Sequence, residues 1–314
     1  MSELPNPHES DWQRQTIEKL AFSAIKEQRR ARHWGIFFKS LTFIYLFILL
    51  FYAMDWIGEV PSAGLDHTAL IDIQGVIGSD AEVNADSVIT SLQSAYGNKH
   101  TKGVILRINS PGGSPVQAGL INDEIKRQRK LHPNIPIYAA VEDICASGGY
   151  YIAVAADKIY VDKASIVGSI GVLMDGFGFT GIMQKLGVER RLLTAGENKA
   201  ILDPFSPVNP KHQEFAQNML DQIHQQFITV VREGRGQRLK ETPEMFSGLF
   251  WSGETSIEMG LADGLGSSEY VAREIIKQEK IVDFTTREGL ADRFAKRFGA
   301  SVANTLAGGN LHLR

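Results

Sequence analysis

A serine among small residues is the sharpest chemical feature of this sequence. Ser147 stands in Ala146-Ser-Gly-Gly149, at the predicted junction of a strand and a helix, where its neighbours leave room for a substrate carbonyl. The first amides of a helix have no partner within it and can stabilise an oxyanion. These features suit a nucleophile. The alternative is that Ser147 only caps the helix, a common role for serine.

Three other positions could cooperate with such a nucleophile. The two glycines of Ser110-Pro-Gly-Gly-Ser114 allow close approach of the backbone and could offer an amide to an oxyanion. A P-loop is disfavoured because the Lys-Ser/Thr ending is missing, and a plain tight turn stays open. Lys199 could act as a general base if burial favours its neutral form, or it is a solvated charge. Ser169, in Gly168-Ser-Ile-Gly171, could orient an amine or satisfy its own turn.

Thiol and metal chemistry find less support. Cys145 is the one cysteine of the chain, so an intrachain disulfide and a cysteine-rich zinc site are excluded. We interpret it as a small packed residue, not as a nucleophile. The eight histidines form no compact motif, although a Ser-His-Asp triad from distant residues stays possible. No metal and no cofactor is predicted.

An apolar segment near the N-terminus predicts a transmembrane helix over residues 34–57. Its centre, Leu41–Met54, is interrupted only by Thr42, and the whole segment can cross a hydrocarbon core of roughly 30 Å. A signal peptide would have a shorter apolar region nearer the N-terminus and a small-residue cleavage site. A buried core helix is disfavoured by the length and continuity of the run.

The distribution of charge predicts the orientation of this span. The five lysines and arginines between Lys26 and Lys39 precede or begin it, and no Lys or Arg follows between Lys39 and Lys99. The positive-inside rule therefore places residues 1–33 in the cytoplasm as a tail and the chain after about residue 58 outside. The net charge of −3 lacks the basic excess of a nucleic-acid-binding protein, so no nucleic-acid partner is predicted.

Beyond the span, strands and helices alternate. Short apolar runs joined by glycine-rich turns predict an α/β fold with a largely parallel sheet. The predicted strands are 67–78, 103–108, 135–141 and 158–161, and the predicted helices are 84–95, 116–131, 147–156 and 210–232. The last helix should present one continuous apolar face.

Several of these motifs occur in an order that resembles the signal peptide peptidase A family of membrane-anchored serine proteases (peptidase family S49). They are S-P-G-G, A-S-G-G-Y-Y, G-S-I-G-V, G-E-N-K and the downstream element Phe250–Gly266. The resemblance covers roughly residues 65–280 and implies a ClpP/crotonase-like fold of repeated ββα units. The single copy of the domain resembles the short bacterial form. The implied domains are a protease domain over 58–280 and an extension of unknown role over 281–314.

The resemblance also implies roles for residues of this sequence. Ser147 would be the nucleophile, Lys199 the base of a Ser-Lys dyad, and Ser169 the residue that holds the lysine amine. Gly148 and one of the Gly112-Gly113 pair, taken as Gly113, would donate to the oxyanion. The neighbouring Glu197 is a departure, because its charge would favour the charged form of the base.

The resemblance further implies assembly, substrates and location. Short members form dome-shaped rings in which neighbouring subunits complete each site, so we expect a homo-oligomer. The implied substrates are remnant signal peptides and small unfolded polypeptides, cleaved on the outer side of the bacterial inner membrane. Two alternatives stay open. One is a catalytically silent membrane-anchored scaffold, and the other is an acyl or thioester hydrolase on the same fold.

Overall fold

The computed structural model describes residues 7–53 and 65–287, which belong to two separate units. The first unit contains one helix, α1 (Pro7–Ala53). Its stretch Glu18–Leu50 is long and apolar enough to cross a membrane. The helix passes without a break through residue 33, the predicted boundary between a cytoplasmic tail and the membrane span. Residues 54–57 of the predicted span lie outside the described part of the chain.

The second unit is a mixed α/β domain. Its strands are β1 (His67–Gln74), β2 (Thr101–Ser110), β3 (Ile137–Ala146), β4 (Lys158–Val161), β5 (Ile166–Gly168), β6 (Phe250–Ser252), β7 (Gly264–Leu265) and β8 (Ile281–Asp283). Its helices are α2 (Ala85–Gly97), α3 (Pro115–Leu131), α4 (Gly148–Ala153), α5 (Thr180–Leu186), α6 (Pro210–Arg235), α7 (Gly253–Glu258) and α8 (Ser268–Tyr270). A 3₁₀ turn follows α6 over Gly236–Arg238, and a π-helical turn follows α8 over Val271–Ile276.

The described strands form one sheet in the order β6-β5-β3-β2-β1-β8. The sheet branches at β3, because the first half of this strand pairs with β4 and its last three residues pair with β5. Strand β7 extends the branch through β4. All pairings are parallel except that of β5 with β6. The predicted α/β fold with a largely parallel sheet is confirmed.

Both faces of the sheet are covered, as the apolar runs of β1 to β3 require. Helices α2, α3 and α4 bury the larger core, to which β2 contributes Val104, Leu106 and Ile108. The alternate residue Ile105 faces a smaller core, which is closed by Val271 and Ala272 of the π-helical turn. Both cores include residues of β2 and β3, and the larger core reaches Cys145 near the carboxyl end of β3.

Two strand ends differ from the sequence-based expectation. Strand β1 ends at Gln74, not at Gly78, because Gly75 takes a φ of +94° and turns the chain. Strand β3 runs to Ala146, five residues beyond the expected end, and leads directly into Ser147. The extension adds the pairs of Ile144, Cys145 and Ala146 with β5.

The sheet also continues beyond residue 280, the expected end of the protease domain. Strand β8 pairs with β1 in parallel, with Thr68 opposite Ile281 and Leu70 opposite Asp283. Residues 281–283 therefore form an edge strand of the domain. Residues 288–314 of the expected extension lie outside the described part of the chain.

A buried ion pair fixes α6 to this domain. Arg235, only 1% exposed, donates to both carboxylate oxygens of Asp263 at 2.7 and 3.0 Å. Asp263 also accepts the amide of Ile159 at the start of β4. Burial by itself would raise the pKa of Asp263, but the hydrogen bonds and charge of Arg235 lower it below its usual value. The carboxylate therefore ties the last turn of α6 to the β4 branch.

Candidate active site

Ser147 lies at the sharp turn from β3 into α4. Its backbone has φ 50° and ψ −120°, a conformation that non-glycine residues rarely adopt and that persists only where the surroundings enforce it. Its amide donates to Gly168 O at 2.9 Å. Although Ser147 occupies the N-cap position, its side chain makes no capping hydrogen bond. Helix capping therefore does not account for the hydroxyl, and the strained turn presents it as a nucleophile requires.

The Gly112-Gly113 loop packs directly against this turn. A Cβ on Gly112, whose φ is +102°, would lie 2.6 Å from Gly148 N and 2.7 Å from Ser147 Cβ. Gly113 N lies 3.2 Å from the position that a Cβ on Gly148 would take. Only glycine lets the two backbones come this close. The amides of residues 113 and 148 are thereby brought together beside the serine.

These two amides are available to a ligand. Within residues 65–287, neither Gly113 N nor Gly148 N has a recorded hydrogen-bond acceptor. Ile77 holds the loop on both sides of Gly113, because its amide donates to Gly112 O at 2.9 Å and its carbonyl accepts Ser114 N at 2.8 Å. Two fixed donors beside one hydroxyl form the arrangement that stabilises a tetrahedral oxyanion.

The role of Ile77 was not recognised in the sequence. The residue forms a bridge with Gly113 after β1 has ended. The available signal was the apolar run that continues past the turn at Gly75.

Ser169 lies on the stretch that receives the amide of Ser147. Its φ is 52°, its amide donates to Leu249 O at 2.7 Å, and it is half-buried. The preceding Gly168 packs against the Trp251 ring, which a Cβ there would approach to 2.8 Å. Trp251 of the downstream element thus supports the stretch that carries Ser169. The hydrogen bond from Ser147 N to Gly168 O joins the stretches that carry Ser147 and Ser169, and Gly113 N and Gly148 N lie beside Ser147; we call this arrangement the serine framework.

Lys199 is not part of this framework within one chain. It is exposed, in a turn where its amide donates to Gly196 O at 3.1 Å. Its amine makes no recorded hydrogen bond or ion pair with the described residues. The surrounding segment packs mainly on itself, for example through the Arg190–Asp203 ion pair and the stacked rings of Phe179 and Phe205.

Helix α6 separates the two halves of the predicted dyad. Near its start, His212 Nε2 lies 3.1 Å from the side chain of Asn198, the neighbour of Lys199. Further along, His224 Nε2 lies 3.1 Å from the carbonyl of Ile170, the neighbour of Ser169. Twelve helical residues span about 18 Å. The base segment and the serine framework of one chain are therefore held at distant turns of the same helix.

Cys145 does not compete for the role of nucleophile. It is completely buried in the larger core, and burial raises the pKa of its thiol, so the thiolate is disfavoured. This agrees with its interpretation as a packed residue.

A cavity of about 710 Å³ lies elsewhere on the domain, and none of the candidate residues lines it. Arg107, Glu142, Lys163 and Glu269 are among the residues that line it. We place the candidate site at Ser147 because strain and unpartnered amides coincide there.

Comparison with known proteins identifies the family. The family model described as peptidase family S49 matches residues 129–282. A putative protease of Synechocystis is 31% identical over 201 residues, which are 64% of this chain and 70% of that protein. The chain belongs to peptidase family S49. The resemblance drawn from the motifs is thereby confirmed, and the α/β domain with its parallel-dominated sheet is consistent with the ClpP-like fold of the family.

Two further relatives are informative about this S49 member. The putative signal peptide peptidase SppA of Enterococcus faecium is 32% identical, over 69% of this chain and 65% of that protein. A Brucella abortus protein named as the Na⁺/H⁺ antiporter NhaA is 46% identical over 183 residues, which are 58% of this chain but only 25% of that protein. The chain thus spans a quarter of the antiporter-named relative, too little to transfer the activity that its name describes.

Proposed function

We propose that this S49 member is a membrane-anchored serine endopeptidase in which Ser147 is the nucleophile. One observation carries the proposal: a strained serine at a strand-to-helix turn lies beside two amides that have no partner among the described residues. The relatives named as proteases support peptide hydrolysis, and the apolar helix Glu18–Leu50 supports the anchor.

The proposed reaction uses each group in turn. A neutral lysine amine accepts the Ser147 proton as Oγ attacks the carbonyl carbon of the scissile peptide. Gly113 N and Gly148 N donate to the resulting oxyanion. The ammonium group then protonates the leaving amine as the C–N bond breaks, which leaves an acyl-serine. Water attacks that ester while the neutral lysine takes one of its protons, and the ammonium group then returns this proton to Oγ as the C–O bond breaks, which releases the carboxyl product and regenerates Ser147.

We further propose that the lysine is Lys199 of a neighbouring copy and that Ser169 holds its amine. Two features support this. The segment of the exposed Lys199 contacts α6 at His212, and the stretch that carries Ser169 contacts the same helix at His224, about 18 Å further along. A general base must be neutral at working pH, and contact with a second copy would remove the amine from water.

The surface around Lys199 supports contact between copies. Several large apolar side chains of this region are exposed: Leu173, Phe177, Leu186, Leu193 and Phe215. The apolar face expected along α6 is only partly buried: Phe227 is buried towards the C-terminal end, whereas Phe215 and Met219 near the start are exposed. Exposed patches of this kind mark interaction surfaces. A closed ring of copies would cover them.

Mixing two inactive variants tests the shared site. Ser147→Ala and Lys199→Ala chains are each expected to lose activity by about a thousandfold or more. If a site is built from two neighbours, an equal random mixture restores about a quarter of the junctions in a ring. If the dyad lies within one chain, no junction is restored. Mixed assemblies with no activity above either parent would refute the shared site.

For substrates, we propose remnant signal peptides and small unfolded polypeptides, cleaved outside the cytoplasm of a bacterial inner membrane. The name of the Enterococcus relative and the absence of Lys or Arg between Lys39 and Lys99 support this. Incubation of the wild-type protein and the Ser147→Ala variant with unfolded casein and with acyl-CoA esters tests the substrate class. Ser147-dependent cleavage of casein alone is expected. Hydrolysis of the ester alone would indicate a thioester hydrolase, and no turnover of either would indicate a silent scaffold.

A further inference from the structure

His224 makes the contact by which α6 reaches the serine framework. Its Nε2 lies 3.1 Å from Ile170 O, so the protonated nitrogen donates to that carbonyl. His224 is half-buried, and the nearby Phe227 and Val231 anchor the helix in the core. The packing of α6 in the core therefore fixes the position of His224.

The contact falls within a tight turn next to Ser169. Gly171 N donates to Ser169 O at 3.0 Å, which closes a three-residue turn with Ile170 at its centre. The Ile170 side chain is completely buried. Packing therefore fixes the side chain of Ile170, and the bond from His224 fixes the orientation of its carbonyl.

The turn connects directly to the nucleophile. Gly168 O accepts the amide of Ser147, and the next residue, Ser169, is held through its amide by Leu249 O. A rotation of the Ile170 carbonyl would be transmitted to Ser169 through the turn. Small displacements of a reacting or orienting group cause large losses of rate, about 100-fold for 1 Å.

We propose that His224 is a positioning residue of the peptidase reaction, acting through Ile170 to set the orientation of Ser169 towards the lysine amine. This inference rests on the proposed function. His224 touches neither the substrate nor the reacting atoms. It supplies a hydrogen-bond donor, so an uncharged donor of similar length should replace it.

Three variants of the full-length protein test the role on a peptide substrate. His224→Leu fills a similar volume without a donor and should lower kcat by about tenfold or more, with KM unchanged within about twofold. His224→Gln offers an amide donor at similar reach and should recover kcat to within about threefold of wild type. The matched control is Gln226→Leu, an exposed position on the same helix, which should change neither constant.

Titration with a fluorophosphonate separates positioning from folding. For a positioning role, the final number of labelled serines per chain stays at the wild-type value while kcat falls. A loss of labelled sites in proportion to activity, or a failure of Gln to restore kcat, would overturn the proposal.

Mixed assemblies give a second readout, because His224→Leu can be combined with either parent variant. The Lys199→Ala chain supplies Ser147 and Ser169 to the restored sites, so His224→Leu in that chain should reduce the recovered activity about tenfold. When it is added to the Ser147→Ala chain, it should have no effect. Equal losses in both placements would contradict the proposal. If the two parent variants restore no activity at all, the shared site fails, and the comparison of Leu with Gln in the single-variant enzyme still decides the role of His224.

Discussion

Gly112→Ala should separate the geometry of the site from its chemical groups, because it changes no side chain that reacts. The added Cβ would lie 2.6 Å from Gly148 N, about 0.8 Å short of ordinary contact at 3.4 Å. The neighbouring atoms are backbone or Cβ, so the turn itself must move. The φ of +102° adds strain of about 1–3 kcal/mol for an L-residue. We expect the free energy of unfolding to fall by about 2–4 kcal/mol and kcat/KM to fall about 100-fold.

The assay combines urea unfolding with hydrolysis of a peptide substrate below the unfolding transition. Gly119→Ala is the matched control, because this glycine lies within α3 and nothing approaches within 4 Å of its added Cβ. It should retain activity and gain about 0.5–1 kcal/mol of stability. Activity of Gly112→Ala within threefold of wild type would refute the claim that the Gly112-Gly113 loop and the Ser147 turn form one fixed oxyanion site.

Other variants probe the thiol, the buried ion pair and the orientation in the membrane. Cys145→Ala should keep full activity. Thiol reagents should not inactivate the native protein, because burial raises the pKa of the Cys145 thiol. Inactivation through Cys145 would contradict Ser147 as the nucleophile. Arg235→Ala should lower the free energy of unfolding by about 3–5 kcal/mol by leaving a buried carboxylate unpaired, while Ala at the exposed Arg273 should cost at most about 1 kcal/mol. Because Arg235 lowers the pKa of Asp263 below its unfolded value, the pair stabilises the fold above that unfolded pKa and loses this contribution as the pH falls through the lower, folded pKa. Asp263→Asn should therefore flatten the acid limb of a Tm-against-pH curve, and an unchanged limb would contradict this account. Alkaline phosphatase fused after Arg314 should be active in bacteria, whereas activity of a cytoplasmic reporter there would reverse the predicted orientation.

Local patterns predicted much of the domain. The strand Lys158–Val161 was expected at the bounds that the structure gives, because three β-forming residues, Ile159, Tyr160 and Val161, stand together after the end of a predicted helix. The serine turn was expected from its small residues. Its positive φ was not, since the hydrogen bond from Ser147 N to Gly168 O joins residues that are distant in the sequence.

The supports of the site were harder to predict because they come from other parts of the chain. Trp251 was noted only as part of a motif, although its ring packs on Gly168. Likewise, the spacing of apolar residues in α6 predicts a continuous buried face, yet Phe215 is 63% exposed. Periodicity shows which residues seek burial, but not whether the covering surface belongs to the same chain.

The most direct measurement of the central claim is a cross-link between the two halves of the proposed site. In a Cys145→Ala background, Ser147→Cys and Lys199→Cys place two thiols at the positions of nucleophile and base, and a short thiol-to-thiol reagent joins those that lie close together. The account predicts covalent dimers and longer ladders on a denaturing gel, since each junction would join two copies. Cross-linking confined to single chains, with peptides 147 and 199 joined within one monomer, would contradict it.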